Sequence, residues 1–174
     1  MPTATYELIQ TYTVATSGNI NSISFNSFSG YKDLKLKTSL RSDASGGPGE
    51  IYLTFNSISN YNRQYISSQG GAQSSGVSDN GAFALTNFSP FSAATTGSFS
   101  QYDMYISDYS NSSYRKQWSS DGGLGFPNTG GNFAVLYGGA VGSGTAAITS
   151  ISFTTASGFF VIGSLVSLYG IKNS

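Results

Sequence analysis

The chain has no cysteine and no histidine among its 174 residues. Without cysteine there is neither a disulfide framework nor a thiol nucleophile. Without imidazole or thiolate the usual zinc and copper sites cannot form, and no Ser-His-Asp or Cys-His triad can be assembled. Charge is scarce as well. Eight basic residues balance eight acidic ones, and charged residues make up 9% of the chain, where soluble domains average about 25%. A net charge of zero argues against general nucleic-acid binding, which needs a positive footprint on the phosphates. No apolar run approaches the roughly 20 residues that cross a bilayer, so no membrane partner is expected. The opening MPTATYELIQ lacks a basic segment followed by an apolar core, so no signal peptide is expected.

What is abundant is polar, small and aromatic. The 22 Gly, 32 Ser, 15 Thr and 12 Asn are nearly half the chain, beside 12 Phe and 12 Tyr. Disordered chains are poor in aromatics; here aromatics recur in alternating runs, which points to one folded domain spanning residues 1–174. In 33–41, Leu34, Leu36, Thr38 and Leu40 alternate with Asp33, Lys35, Lys37, Ser39 and Arg41. Alternation also marks 20–28, 51–55, 102–107 and 147–153, with a last run at 165–171. A period of two with one polar face predicts half-buried antiparallel strands. Segments 42–49, 67–81, 121–132 and 138–144 are Gly- and Ser-rich and read as loops and turns. Asn60–Ile66 is the best helix candidate, at one or two turns. About eight to ten strands are expected, in an all-β, two-sheet antiparallel β-sandwich, with a jelly roll the expected form and a closed barrel the alternative.

Chemistry is sparse. On a regular strand Asp103 and Asp108 would face opposite sides; Asp43 and Glu50 flank a loop. Neither pair recommends a glycosidase, and no calcium-loop spacing is present. Gly122–Gly131 lacks the Gly-Lys-Ser/Thr ending of a phosphate loop. The chain is therefore expected to be no enzyme and to need no metal or cofactor. Lys35, Lys37 and Arg41 would share one strand face, either as a contact stripe for an acidic partner or as guards of an edge strand. Tyr and Trp give large contact area at low entropic cost, so Tyr109, Tyr114 and Trp118, with Phe126 in its Gly-rich loop, complete the candidate partner contacts. A surface poor in Lys and Glu loses little on desolvation against another protein, which favours a structural or binding role.

Three stretches carry a resemblance: Tyr6–Ile9 leading to Ile23–Leu36, Ile51–Asn56 followed by Asn60–Tyr65, and the carboxyl-terminal Ile148–Phe153, Ser157–Val161 and Gly163–Lys172 with its Leu-Tyr-Gly-Ile-Lys ending. Together they resemble small virion structural proteins of tailed bacteriophages. The resemblance implies a jelly-roll-like sandwich on the virion, made in the host cytoplasm, and carries no catalytic residues. It implies a capsid decoration (cement) protein that binds the major capsid protein as a homo-oligomer, a trimer being favoured. The alternative is a fibre-tip module holding host carbohydrate, with Trp118, Tyr114, Asn111 and Gln117 as its first candidates.

Overall fold

In a computed structural model the chain is all-β: the described residues form twelve strands and no helix. The structure describes residues 5–16, 18–45, 49–69, 71–82, 84–89, 97–124 and 133–172. In chain order the strands are β1 (Thr5–Thr13), β2 (Ser22–Asn26), β3 (Asp33–Leu40), β4 (Gly49–Phe55), β5 (Tyr61–Gln69), β6 (Ala72–Gly81), β7 (Leu85–Ser89), β8 (Ser100–Ser107), β9 (Gln117–Leu124), β10 (Phe133–Val141), β11 (Ser150–Thr155) and β12 (Leu165–Lys172). They form two antiparallel sheets, one of eight strands ordered β1-β12-β3-β8-β9-β10-β5-β6 and one of four ordered β2-β11-β4-β7.

The alternating runs do what their period demands. Leu34, Leu36 and Leu40 of β3 are buried, with Tyr102, Met104 and Ile106 of β8 and Val166 and Leu168 of β12 beside them. They meet Ile23 and Phe25 of β2, Ile51, Leu53 and Phe55 of β4, and Ile151 and Phe153 of β11 in one core between the sheets. Fully burying side chains of this size contributes about 1.5–3 kcal/mol each.

The Gly- and Ser-rich segments depart from expectation. Asn60–Ile66, the helix candidate, lies almost wholly in β5; 72–81, read as loop, is β6; and 138–141, read as a turn, is the end of β10. The physical reason is a set of aromatic rings laid over glycines on the neighbouring strand. Tyr65 lies opposite Gly76, Tyr102 opposite Gly122 and Trp118 opposite Gly139. In each pair a methyl group on the glycine would collide with the ring across from it. The ring covers the glycine's bare backbone and replaces the apolar side chain that the pattern lacks.

An aromatic triad anchors this extension to the rest. Phe55, Tyr61 and Trp118 pack edge-to-face, with ring centroids 5.7–6.0 Å apart and planes 73–82° apart. The Tyr61 hydroxyl accepts the Phe55 N–H at 2.7 Å and donates to the Phe55 carbonyl at 3.3 Å, closing the end of β4. Asn56, at positive φ, performs a similar task next door. Its side-chain oxygen accepts the N–H groups of Thr149 and Ser150, and its amide donates to the Ala147 carbonyl at 2.7 Å.

Candidate docking face

Cross-strand partners share a face, so register fixes what each face of the large sheet displays. On the face turned away from the core, one row crosses all eight strands: Leu8, Tyr169, Lys35, Tyr105, Ser119, Gly138, Gln64 and Val77. The adjacent row runs Thr11, Ser167, Lys37, Asp103, Asp121, Leu136, Ile66 and Ser75. These rows divide the face into three zones. Tyr6 and Leu8 give an apolar margin on β1, the middle carries the charges, and in the far zone on β10, β5 and β6 these two rows set Ile66, Leu136 and Val77 among the uncharged Gly138, Gln64 and Ser75.

The far zone is the most exposed. Ile66, Leu136 and Val77 are 62%, 58% and 64% accessible. They line a depression together with Asn62, Arg63, Gln64 and Gly138, and a side chain at Gly138 would meet nothing. Of the nine large hydrophobic side chains exposed among the described residues, six (Tyr6, Leu8, Ile66, Val77, Tyr105 and Leu136) lie on this one face. The middle zone is self-neutralising. Asp103 receives Lys35 at 3.1 Å and Lys37 at 3.7 Å, and Lys35 also lies over the Tyr6 ring at 6.0 Å. Asp121 stands directly opposite Asp103. Tyr105 donates to the buried Asp33 carboxylate at 2.5 Å, and Asp33 also accepts the Asp108 N–H at 2.8 Å. Burial first, and the bond to Asp33 second, push the Tyr105 hydroxyl up to about 12.

The expected contacts separate accordingly. Lys35 and Lys37 stand on the face. Arg41 does not: β3 ends at Leu40, and Arg41 is buried, its N–H donating to Ser164 and its guanidinium to the Ser98 carbonyl. Tyr109 is 2% exposed and packs on Phe28 at 5.6 Å, and Trp118 is 4% exposed within the aromatic triad. Both rings are spent on the core and offer a partner almost nothing, so neither serves as a contact. Tyr114 is exposed, in the turn between β8 and β9, where it donates to Asp108 at 2.5 Å. Phe126 lies outside the described residues. Ile66, Leu136 and Val77 were missed because they lie on three different strands, and only the register of β5, β6 and β10 brings them together.

The chain matches no protein-family model, no curated protein and no solved structure.

The carboxylates are likewise dispersed. Asp108 bonds Lys32 and Tyr114, Asp43 accepts the Phe159 N–H at 2.6 Å, and Glu50 accepts the Tyr52 hydroxyl at 2.6 Å. Among the described residues no group of three or more acidic side chains converges on a point. No helix there is long and apolar enough to cross a membrane. Among the described residues this face offers exposed apolar side chains beside a middle zone where Lys35 and Lys37 pair with Asp103.

Proposed function

We propose that this protein is a non-enzymatic virion component of a tailed bacteriophage, a decoration protein that caps junctions between major capsid subunits. The observation that carries the reading is that six exposed apolar side chains share one face of the large sheet, with Ile66, Leu136 and Val77 grouped on β5, β10 and β6 beside a neutral middle zone. Monomeric soluble proteins rarely leave such apolar surface in contiguous stretches unless a partner covers it. A face this poor in unpaired charge loses little on desolvation. Several copies acting together multiply a modest contact through avidity.

Topology supports the same reading. With β5, β6, β9 and β10 set aside, the sheets run β1-β12-β3-β8 and β2-β11-β4-β7. We read this interleaving as two Greek keys forming a jelly roll, an architecture that viral capsid and lectin domains share. The carbohydrate reading stands second because Trp118, its main sugar platform, is buried.

The test is co-sedimentation with shells of the encoding phage assembled without this protein. The wild-type protein is expected to pellet with the shells. The double variant Ile66→Lys, Leu136→Lys is expected to bind at least about tenfold more weakly, as truncation of an interface centre does, and Tyr114→Ala to bind normally. Absence of shell binding, together with glycan binding that Tyr114→Ala abolishes, would replace this reading with the fibre-tip one.

A further inference from the structure

Among the described residues the two sheets have four open edges: β1 and β6 on the large one, β2 and β7 on the small one. An open edge presents unpaired N–H and C=O groups, and natural proteins blunt it with brevity, bulges, charge or proline. β2 and β7 are five residues each. β1 is interrupted by a bulge at Ile9 and carries Glu7, paired with Lys172 at 2.8 Å. β6 has none of these devices over Ala72–Ser78, which holds no charge and no proline. Its one irregularity falls later, between Ser78 and Gly81, where Asp79 sits. Residues 72–75 and 77 are exposed, and Gly76 between them lies under the Tyr65 ring.

We propose that β6 pairs antiparallel with β6 of a second copy across a two-fold axis, joining two large sheets into one. A two-fold contact is isologous and must be self-complementary, and this edge is. With the axis at Ser75, Gly76 or Val77, Asp79 lies opposite Gly71, Gln73 or Ser75 and never opposite its own copy. With the axis at Ser75 all seven residues of 72–78 pair, an edge of roughly 24 Å, and with the axis at Gly76 the five from 74 to 78 do, roughly 17 Å. Apolar surface flanks it on both sides. Val77 and Ile66 lie on the outer face, and on the inner face the Tyr65 ring reaches across Gly76, its hydroxyl 2.6 Å from where a methyl group there would sit. Near the axis these side chains gain a second copy of themselves as cover. The apolar far zone also becomes the centre of a doubled docking face. Three copies around one axis would need a head-to-tail contact between β6 and another edge, and the others are short or blunted. The edge therefore favours two copies over the three that the phage resemblance implies. The pairing needs no shell, so it and the proposed function fail separately.

The absence of cysteine makes single-cysteine variants of the whole chain clean reporters. Sedimentation equilibrium of the wild type should show mass rising with concentration from 18.2 kDa to twice that value. Under mild oxidation Ser75→Cys alone, Val77→Cys alone, or the two mixed should cross-link, according to whether the axis passes through Ser75, Val77 or Gly76. Paired Cα atoms in an antiparallel ladder lie within disulfide range. That reaction should run at least about tenfold faster than for Leu8→Cys on the opposite edge, since held thiols meet at millimolar effective concentration. Neighbouring N–H groups point to opposite sides of a strand, so one of Ser74→Pro and Ser75→Pro spares the β5–β6 ladder. That variant should match the thermal midpoint that the wild type shows when diluted to monomer, and lose the dimer. A mass fixed at 18.2 kDa, a mass in multiples of three, cross-linking no faster than Leu8→Cys, or a folded proline variant that still dimerises would each overturn the proposal.

Discussion

Lys116 shows how a chain short of ions spends one of them. The residue is almost fully buried, and among the described residues no carboxylate pairs with its ammonium. The group instead donates to the backbone carbonyls of Asn111, Tyr114 and Thr145, the last at 3.0 Å. Burial holds its pKa below the ordinary lysine value. It ties the turn after β8 to the segment before β11, and so positions Tyr114. Replacing it with Met leaves three carbonyls without a donor, at about 1–3 kcal/mol for each that water cannot reach. Lys116→Met is expected to lower stability by about 3 kcal/mol in urea unfolding; an unchanged midpoint would contradict the assignment. Tyrosines set the pH response. Burial pushes Tyr61 up to about 12, and Tyr102 is raised further by the same cause, whereas an unfolded tyrosine ionises near 10.0. Between pH 10 and 12 the unfolded chain loses protons that the folded one keeps. Stability is therefore complete below pH 10 and falls as pH rises through that window. No histidine titrates between pH 5 and 8, so stability should stay level there. Urea unfolding across the two ranges, with tyrosinate absorbance, checks both; a drop near neutrality would contradict the account.

Strands formed by alternating apolar residues were legible in the sequence, and strands formed by rings over glycines were not. β3, β8 and β11 could be read directly because Leu34, Leu36, Met104, Ile106, Ile151 and Phe153 recur at every second position. β5, β6 and β10 could not, because the partner of each ring is a glycine on another strand, and no one-dimensional pattern pairs Tyr65 with Gly76 or Trp118 with Gly139. The same gap explains the site. Lys35 and Lys37 could be placed from their own strand's alternation, whereas the apolar zone exists only through register. Trp118 and Tyr109 were misplaced because aromatic composition does not distinguish a core ring from an exposed one. This mode of strand formation is open to test. Gly122→Ala puts a methyl group against the buried Tyr102 ring and the Gln101 carbonyl, a backbone neighbour that cannot swing away. It is expected to cost about 1–3 kcal/mol, as overpacking does, while Gly138→Ala, in open space, should cost under about 1 kcal/mol, near the ordinary range of surface changes. Equal effects at the two positions would contradict the ring-over-glycine account.

At the scale of the whole molecule, the small sheet seals one side of the core and the large sheet extends well past it. Four strands, β9, β10, β5 and β6, widen the large sheet beyond the β1-β12-β3-β8 set. Their outer face bears the most exposed apolar side chains. Widening a sheet with strands that hold only Asp121, Arg63 and Asp79 as charges adds contact area at little cost in ions to desolvate. That is the economy expected of a subunit whose working state is assembled. The central claim is that this outer face meets the shell. Cryo-EM of the intact particle tests it most directly. The account predicts density for the sandwich at junctions between capsid subunits, with the eight-stranded sheet turned inward and Ile66 and Leu136 in contact. Density in the tail alone, or a sandwich on the capsid with that sheet facing solvent, would contradict it.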